Sequence, residues 1–330
     1  MKLVQFKTPG DASVLEIVEA PKPEPKPGEV LVRALAIGVG MPDIMIRRGT
    51  YNWMPPLPGT PGTELSGIVE AVGPGVTRFH AGQRVVVSAR DRPHRGGCYA
   101  EYNATPEASV YALPDGAEMD QAAALANYQV AYHLLYDCIA FKPGQLVLIQ
   151  GAAGGAGSAL VDLARHAGLR VIGVGGGPTK LDFIKSLGVE HVIDRRRGDI
   201  AAAVAAATAG KGVDFIMDFA GGPDFTKNFA MLAPYGTVVS YGQLAGKPQD
   251  DVYAALRAAS AKNLALRVFS MHVYDHWPEP RQAGMRWLIE RLARGEIRPH
   301  IDRALPLAQA RAAHELFESG AVMGKLLLRP

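Results

Sequence analysis

The stretch of this chain with the clearest chemical purpose holds almost no reactive side chain. Val147–Leu160 reads VLIQGAAGGAGSAL. The apolar run Leu146–Ile149 gives way to Gly151, Gly154, Gly155 and Gly157, and Leu160, Val161, Leu163 and Ala164 then recur at helical spacing. A strand that ends in Gly-rich chain and opens a helix presents bare N–H groups at the positive end of the helix dipole. Such a turn seats a pyrophosphate. Small residues that merely let a helix pack close to a sheet would read the same way, so the surrounding order decides. A turn, Lys142-Pro143-Gly144-Gln145, precedes the strand, and Gly168 closes the helix. A second apolar run, Leu169–Val174, a helix over Lys180–Leu187 and a third run, His191–Ile193, follow. This β-α-β-α-β order predicts a parallel sheet wound with helices.

A site that prefers NAD usually ends its second strand on a carboxylate for the ribose 2′-hydroxyl. Here the strand ends on Val174-Gly175-Gly176-Gly177 and no carboxylate is present. Lys180 follows within reach, as do Arg195, Arg196 and Arg197 after the third strand. Lysine and arginine are the natural partners of a 2′-phosphate. The expectation is therefore NADPH over NADH, with Lys180 the first choice, because Arg195–Arg197 also reads as a solvated charge run.

Composition bounds the remaining possibilities. The 330 residues suggest two domains. The net charge of +3 is too small to argue for nucleic acid or an anionic membrane. The N-terminus MKLVQFKTPG reads as a strand and a turn, without the apolar core of a signal peptide. Ala122–Phe141, the longest apolar stretch, is broken by Asn127, Gln129, His133 and Asp137 and reads as a buried helix. Cys98 and Cys138 are the two cysteines, so no disulfide framework exists and a cytoplasmic location fits.

The elements that would position the chemistry differ along the chain. Up to about Gly116, short β-type runs (Val30–Ala36, Gly67–Val72, Gln83–Val87) alternate with Pro/Gly turns, which predicts an irregular β-rich domain. The wound α/β unit then continues through GVDFIMDFAGG and GTVVSYGQLAG, two further strands each closed by glycine. The C-terminal segment predicts strand, helix, strand, with Ala308, Ala312, Leu316 and Phe317 on one helical face, returning to the first domain.

Several ordered pieces, PKPGEVLVRALAIGV, PDIMIRRGTY, PGTPGTELSGIVEAVGPGVTRFHAGQRVV, GCYAEYNATP, QGAAGGAG, SYGQLAG and GKLLLRP, resemble the medium-chain dehydrogenase/reductase superfamily over nearly the full length. The likeness is to its zinc-free, NADPH-dependent quinone oxidoreductase branch, similar to zeta-crystallin. It implies an α/β chain with a GroES-like β-rich catalytic domain (1–124 and 272–330) and a Rossmann domain (125–271). The zinc-ligand positions of the superfamily's alcohol dehydrogenases read AIGVGMPD, without Cys, and Gly62-Thr63-Glu64, without His. The four-cysteine lobe is missing. Three or four N/S ligands cannot be assembled there, so no metal is expected. The implied chemistry is hydride transfer from NADPH to an electrophile already activated by conjugation, a quinone or an α,β-unsaturated carbonyl. The protein's task would be orientation and water exclusion.

The resemblance also implies site residues. Tyr51 stands where enoyl reductases of the superfamily carry a tyrosine that can deliver a proton; proton donation and simple lining of the pocket both stay open. Asp43 is expected to pair with an arginine, and Glu64 to hold backbone in its turn. Ala153, Gly154, Gly155 and Ala156 should face the pyrophosphate, with Lys180 and Arg195 at the 2′-phosphate. Phe219, Ala220, Tyr241 and Gly242 end strands toward the cofactor, Phe269 and Ser270 flank the nicotinamide, and Lys325 approaches from the last strand. Gly40, Met41, Tyr51 and Tyr128 would line the substrate pocket. Gly40 replaces an asparagine of the relatives, and Gln129-Val130-Ala131-Tyr132 lacks their threonine, so the substrate half departs from the pattern. A 2-enoyl thioester reductase and a non-catalytic NADPH-binding protein are the alternatives. No nucleic-acid or membrane partner is expected. Asn263–Tyr274 predicts an edge strand that pairs with its copy in a homodimer.

Overall fold

The computed structural model describes all 330 residues. The chain parts into one unit made of Met1–Ala126 with Tyr274–Pro330 and another made of Asn127–Val273.

In the first unit, β3 (Glu29–Val39) alternates little: Val30, Leu31, Val32, Ala36, Ile37 and Val39 are all buried. A strand covered on both faces belongs at a sheet centre. It pairs antiparallel with β4 (Glu64–Val72) and with β6 (Tyr102–Pro106). Outward from β4 lie β5 (Arg84–Ser88) and β7 (Val110–Ala112). On the other side, β15 (Lys325–Arg329) pairs antiparallel with β3 and parallel with β14 (Ile301–Pro306). β1 (Lys2–Gln5) and β2 (Glu16–Glu19) form a separate hairpin. α1 (Met41–Arg48) follows β3 directly, and α10 (Ala310–Glu318) precedes β15. The buried face of α10 is Ala310, Ala313 and His314. Ala308 and Ala312, expected to be packed, are exposed: the helix begins at Ala310, so its periodicity is set one register away.

The second unit carries six parallel strands in the order β10-β9-β8-β11-β12-β13. These are β8 (Leu146–Gln150), β9 (Arg170–Gly175), β10 (His191–Asp194), β11 (Val213–Asp218), β12 (Leu232–Ser240) and β13 (Ala265–Val268). Their core contains Leu148, Ile172, Val174, Ile216 and Val238. Strand order reverses between β8 and β11, and ligands of such sheets bind beyond the carboxyl ends at that switch point. α4 (Gly155–His166) follows β8, and α5 (Pro178–Ser186) follows β9. α4 comes so near the loop that a Cβ on Gly157 would lie 2.1 Å from the Gly151 carbonyl oxygen. The expected long strand over Asn263–Tyr274 is shorter: β13 has four residues, and Met271–Asp275 winds into a 3₁₀ turn.

Candidate active site

At the carboxyl end of β8 the backbone is left bare. Gly154 caps α4 without a side-chain hydrogen bond. The first amides of α4 therefore have no intrahelical acceptor, and the dipole's positive end is open to an anion. The side chain of Gln150, just before the loop, donates to Asp218 Oδ2 (3.2 Å) and Asn228 Oδ1 (3.0 Å). Asn228 Nδ2 donates to the same Asp218 oxygen at 2.6 Å, and the Gly221 amide to Asp218 Oδ1 at 2.7 Å. One buried carboxylate thus fixes the ends of β8 and β11 and the turn that holds Phe219 and Ala220. Burial pushes its pKa up against these donors. The Phe219 ring lies over Gly151, with Cε1 2.3 Å from where a Cβ would be. The Tyr241 amide donates to the Asp218 carbonyl (2.8 Å), and the Phe269 amide to the Ser240 carbonyl (2.8 Å). Phe219, Ala220, Tyr241, Gly242 and Phe269 therefore stand at neighbouring strand ends.

Beside them, at the ends of β9 and β10, three cations converge. Lys180 is half-buried, and burial first, then Arg195 and Arg196, pushes its ammonium pKa down. The guanidinium groups lie over Gly176-Gly177: a Cβ there would come within 3.1 Å of Arg195 Nε and 2.8 Å of Arg196 Nη1. Asp194 sets this loop by accepting from the Gly177 amide (3.2 Å) and the Arg196 amide (3.0 Å). Arg197 turns back to Asp194 at 3.7 Å. Lys180, Arg195 and Arg196 form no ion pair. An open helix start beside a cluster of cations with a net positive charge fits a dinucleotide with an additional phosphate.

In the first unit the buried charges arrange differently from expectation. Asp43 is fully buried; its Oδ2 accepts from Gly40 N (2.8 Å), its Oδ1 from Gly62 N (3.2 Å), and Thr63 and Lys325 act on it as well. No arginine pairs with it, against expectation, and the arginine of its own helix, Arg47, reaches Glu318 at 2.7 Å. Asp43 is the third residue of α1 and turns back onto the amide that opens its own helix, while Arg47 extends toward the helix end. Lys325 does not project freely from β15. Its ammonium is hydrogen-bonded to Glu64 Oε1, both side chains are 3% exposed, and Glu64 Oε2 accepts from Ala126 N at 2.8 Å. Glu64 thus holds backbone at the start of α3 (Leu125–Tyr136) rather than in its own turn. Burial drives the Asp43 pKa up to about 7, with Lys325 pulling it down and Glu64 adding to the rise.

Gly40 opens α1, and a Cβ on it would stand 3.6 Å from Lys325 Nζ. Met41 is 41% exposed. Tyr51 is buried, its ring tilted against Trp53, and its hydroxyl accepts from Arg95 Nη1 at 3.4 Å. Tyr128 is buried, and its hydroxyl donates to Asp162 at 2.6 Å inside the second unit. No three His, Cys, Asp or Glu side chains are placed to hold a metal ion. No helix is long and apolar enough to cross a membrane.

The comparisons with known proteins agree with this architecture. Residues 26–115 match the alcohol dehydrogenase GroES-like domain, and residues 187–328 match the zinc-binding dehydrogenase family. The quinone oxidoreductase of Pseudomonas aeruginosa is 32% identical over 100% of this chain and 99% of its own. The chain belongs to the medium-chain dehydrogenase/reductase superfamily. Within the superfamily it is also 34% identical to the human synaptic vesicle membrane protein VAT-1 homolog, over 97% of this chain and 84% of that protein. The crystal structure of the Escherichia coli quinone oxidoreductase complexed with NADPH superposes with a TM-score of 0.87 and 29% identity, covering both chains fully. The fold is the GroES-like domain plus Rossmann sheet shared by these superfamily members, and the chain is an oxidoreductase of quinone oxidoreductase type.

Sequence reasoning missed the Gln150–Asp218–Asn228 network. Its signal was present: one carboxylate closing the otherwise apolar run Phe215–Met217, and one amide closing Leu146–Ile149. Neither says that the two side chains meet, because the strands that carry them are far apart in the chain.

Proposed function

We propose that this protein binds NADPH on the carboxyl edge of its wound sheet and reduces a quinone or another α,β-unsaturated carbonyl by hydride transfer, without a metal. The carrying observation is the occurrence of an uncapped α4 together with Lys180, Arg195 and Arg196, whose side chains form no ion pair. When bound, NADPH supplies the hydride. Backbone amides of Ala153–Ala156 hold its pyrophosphate, and Lys180 and Arg195, with Arg196, hold the 2′-phosphate. Phe219, Ala220, Tyr241, Gly242, Phe269 and Ser270 shape the nicotinamide's side. In the first unit, Gly40, Met41 and Tyr51 face the electrophile, and Tyr51 is the group there with a transferable proton. Lys325, expected to approach the cofactor from the last strand, also holds Glu64 and through it the start of α3. The chain would function as a homodimer joined through β13, whose Val268 is 79% exposed.

NADPH consumption with quinones, enones and enoyl thioesters, in the presence of a chelator, tests the reaction. Turnover of quinones or simple enones is expected; turnover of enoyl thioesters alone would move the assignment to that class, and tight NADPH binding without turnover to a binding protein. Lys180→Ala should weaken NADPH by about 10- to 100-fold, the scale of one charge-assisted hydrogen bond, and leave NADH unchanged. Equal Kd values of the wild-type chain for the two cofactors would refute the 2′-phosphate reading.

A further inference from the structure

Near Tyr51 three arginines meet two carboxylates. Arg281 is ion-paired with Asp91, whose other oxygen accepts from the Tyr111 hydroxyl at 3.2 Å. Arg95 Nη2 donates to Asp275 at 2.5 Å, and its guanidinium lies 4.7 Å from the centre of the Trp53 ring. Arg281 stands 3.8 Å from the same Asp275. Both carboxylates are therefore taken. Arg90 is the remaining cation: it forms no ion pair, and its Nη1 is buried without a hydrogen-bond partner. A buried donor without an acceptor costs about 1–3 kcal/mol, and more when it is charged. Burial pushes its guanidinium pKa down, while Tyr51 and Asp275 favour its charge and Arg95 and Arg281 oppose it. An arginine does not resolve such a mismatch by losing its proton. An anionic oxygen would supply the missing acceptor.

We infer that Arg90 recognises an anionic oxygen group (carboxylate, sulfonate or phosphate) carried by the electrophile that Tyr51 faces. The substrate class narrows accordingly, from any activated electrophile to an acidic one. Arg90 is half-buried as a residue, with its Nη1 enclosed. Arg95 and Arg281 serve as its rigid surround: each is fixed by a carboxylate, and both repel Arg90 from their own acceptors. An arriving anion balances three positive charges against three negative ones. The inference rests on the reading that Tyr51 lies on the substrate side.

Calorimetric binding of 2-naphthoate and of its neutral counterpart 2-naphthamide, in the presence of NADPH, tests it. The wild-type chain should prefer naphthoate by tenfold or more, with the preference shrinking as salt is added. Arg90→Gln should abolish the preference, and Arg90→Lys, which keeps the charge but not the fork, should retain part of it. Equal affinity of the wild-type chain for the two ligands overturns the inference even if no variant folds; so does a preference that survives in folded Arg90→Gln. NADPH oxidation by the wild-type chain over a panel of neutral and carboxylate-bearing quinones and enones is read separately. Absence of turnover across the whole panel, alongside an intact naphthoate preference, would refute the proposed reaction and not the anion site.

Discussion

Replacing Lys325 with methionine removes the one cation from a buried group that also contains Glu64 and Asp43. Lys325 and Glu64 are each 3% exposed and in direct contact. At an effective dielectric constant near 20, charges in contact attract by about 5 kcal/mol. Much of that offsets desolvation, so the informative quantity is the cost of leaving one partner behind, about 3–5 kcal/mol. In Lys325→Met the stranded partner is Glu64, with the Ala126 amide as one remaining donor. Proton uptake by the neighbouring Asp43 relieves part of the excess negative charge, because loss of the cation raises the folded-state pKa of Asp43 further above about 7. A carboxyl whose folded pKa is raised contributes stability below its unfolded pKa, near 4, and loses it as pH rises through the folded value. The variant should therefore be most destabilised against wild type near pH 8, by about 3–5 kcal/mol, and less so near pH 5. Urea unfolding of both chains without cofactor measures this. The double variant Lys325→Met/Glu64→Leu should recover most of the loss, short of about 1–3 kcal/mol for the orphaned Ala126 amide. A cost below about 1 kcal/mol near pH 8, or one that grows toward pH 5, would refute the reasoning.

His314 gives the opposite pH dependence. Burial first, then Arg47, holds its imidazole down to about 3, with Nδ1 3.4 Å from Arg47 Nη1 and Nε2 3.1 Å from the Tyr99 hydroxyl. Its folded pKa lies below the unfolded value near 6.5, so the stability it contributes is full above that value and is lost as pH falls toward 3, by up to about 1.4 kcal/mol per pH unit. His314→Gln should flatten the acid limb of the urea-stability profile; parallel wild-type and variant limbs would rule the assignment out. Light scattering should report twice the chain mass, and substituting lysine for Val268 on the edge strand should shift the mass toward one chain; a wild-type monomer would remove the dimer from the proposal.

How much of this was legible in the letters depends on how local each feature is. The Gly-rich turn after Leu146–Ile149 and the absence of an acid after Val174 are decided within a few residues, and their places in the structure follow from chain order alone. Lys180 and Arg195 were nameable for the same reason: the parallel pairing of β9 and β10 brings their strand ends together. The partners of Asp43, Lys325 and Tyr128 were not legible because a side chain's partner is a long-range fact. Lys325 meets Glu64 only because β15 lies beside β3 and β3 beside β4. Tyr128 looked available until its helix proved to face Asp162 of α4. The short β13 shows a further limit, since β-forming letters run on through Met271–Tyr274 while the chain turns into a 3₁₀ helix.

The position of β15 bears on how the protein comes into being. Leu326, Leu327 and Leu328 are fully buried, and Leu326 and Leu328 pair with Val39 and Ile37 of β3. During synthesis β3 is made well before β15, and the Ile37–Val39 part of its edge waits open until β15 emerges. The parallel sheet, drawn from one continuous stretch, needs nothing from beyond residue 273. The middle of the chain can therefore mature while its beginning is still unfinished, as domains commonly fold in units on the ribosome. Throughout that interval Glu64 and Asp43 exist without their counter-ion. β15, which emerges long after β3, brings both the hydrophobic seam and the ammonium that neutralises the interior, so closure of the outer unit and its charge balance arrive in a single step.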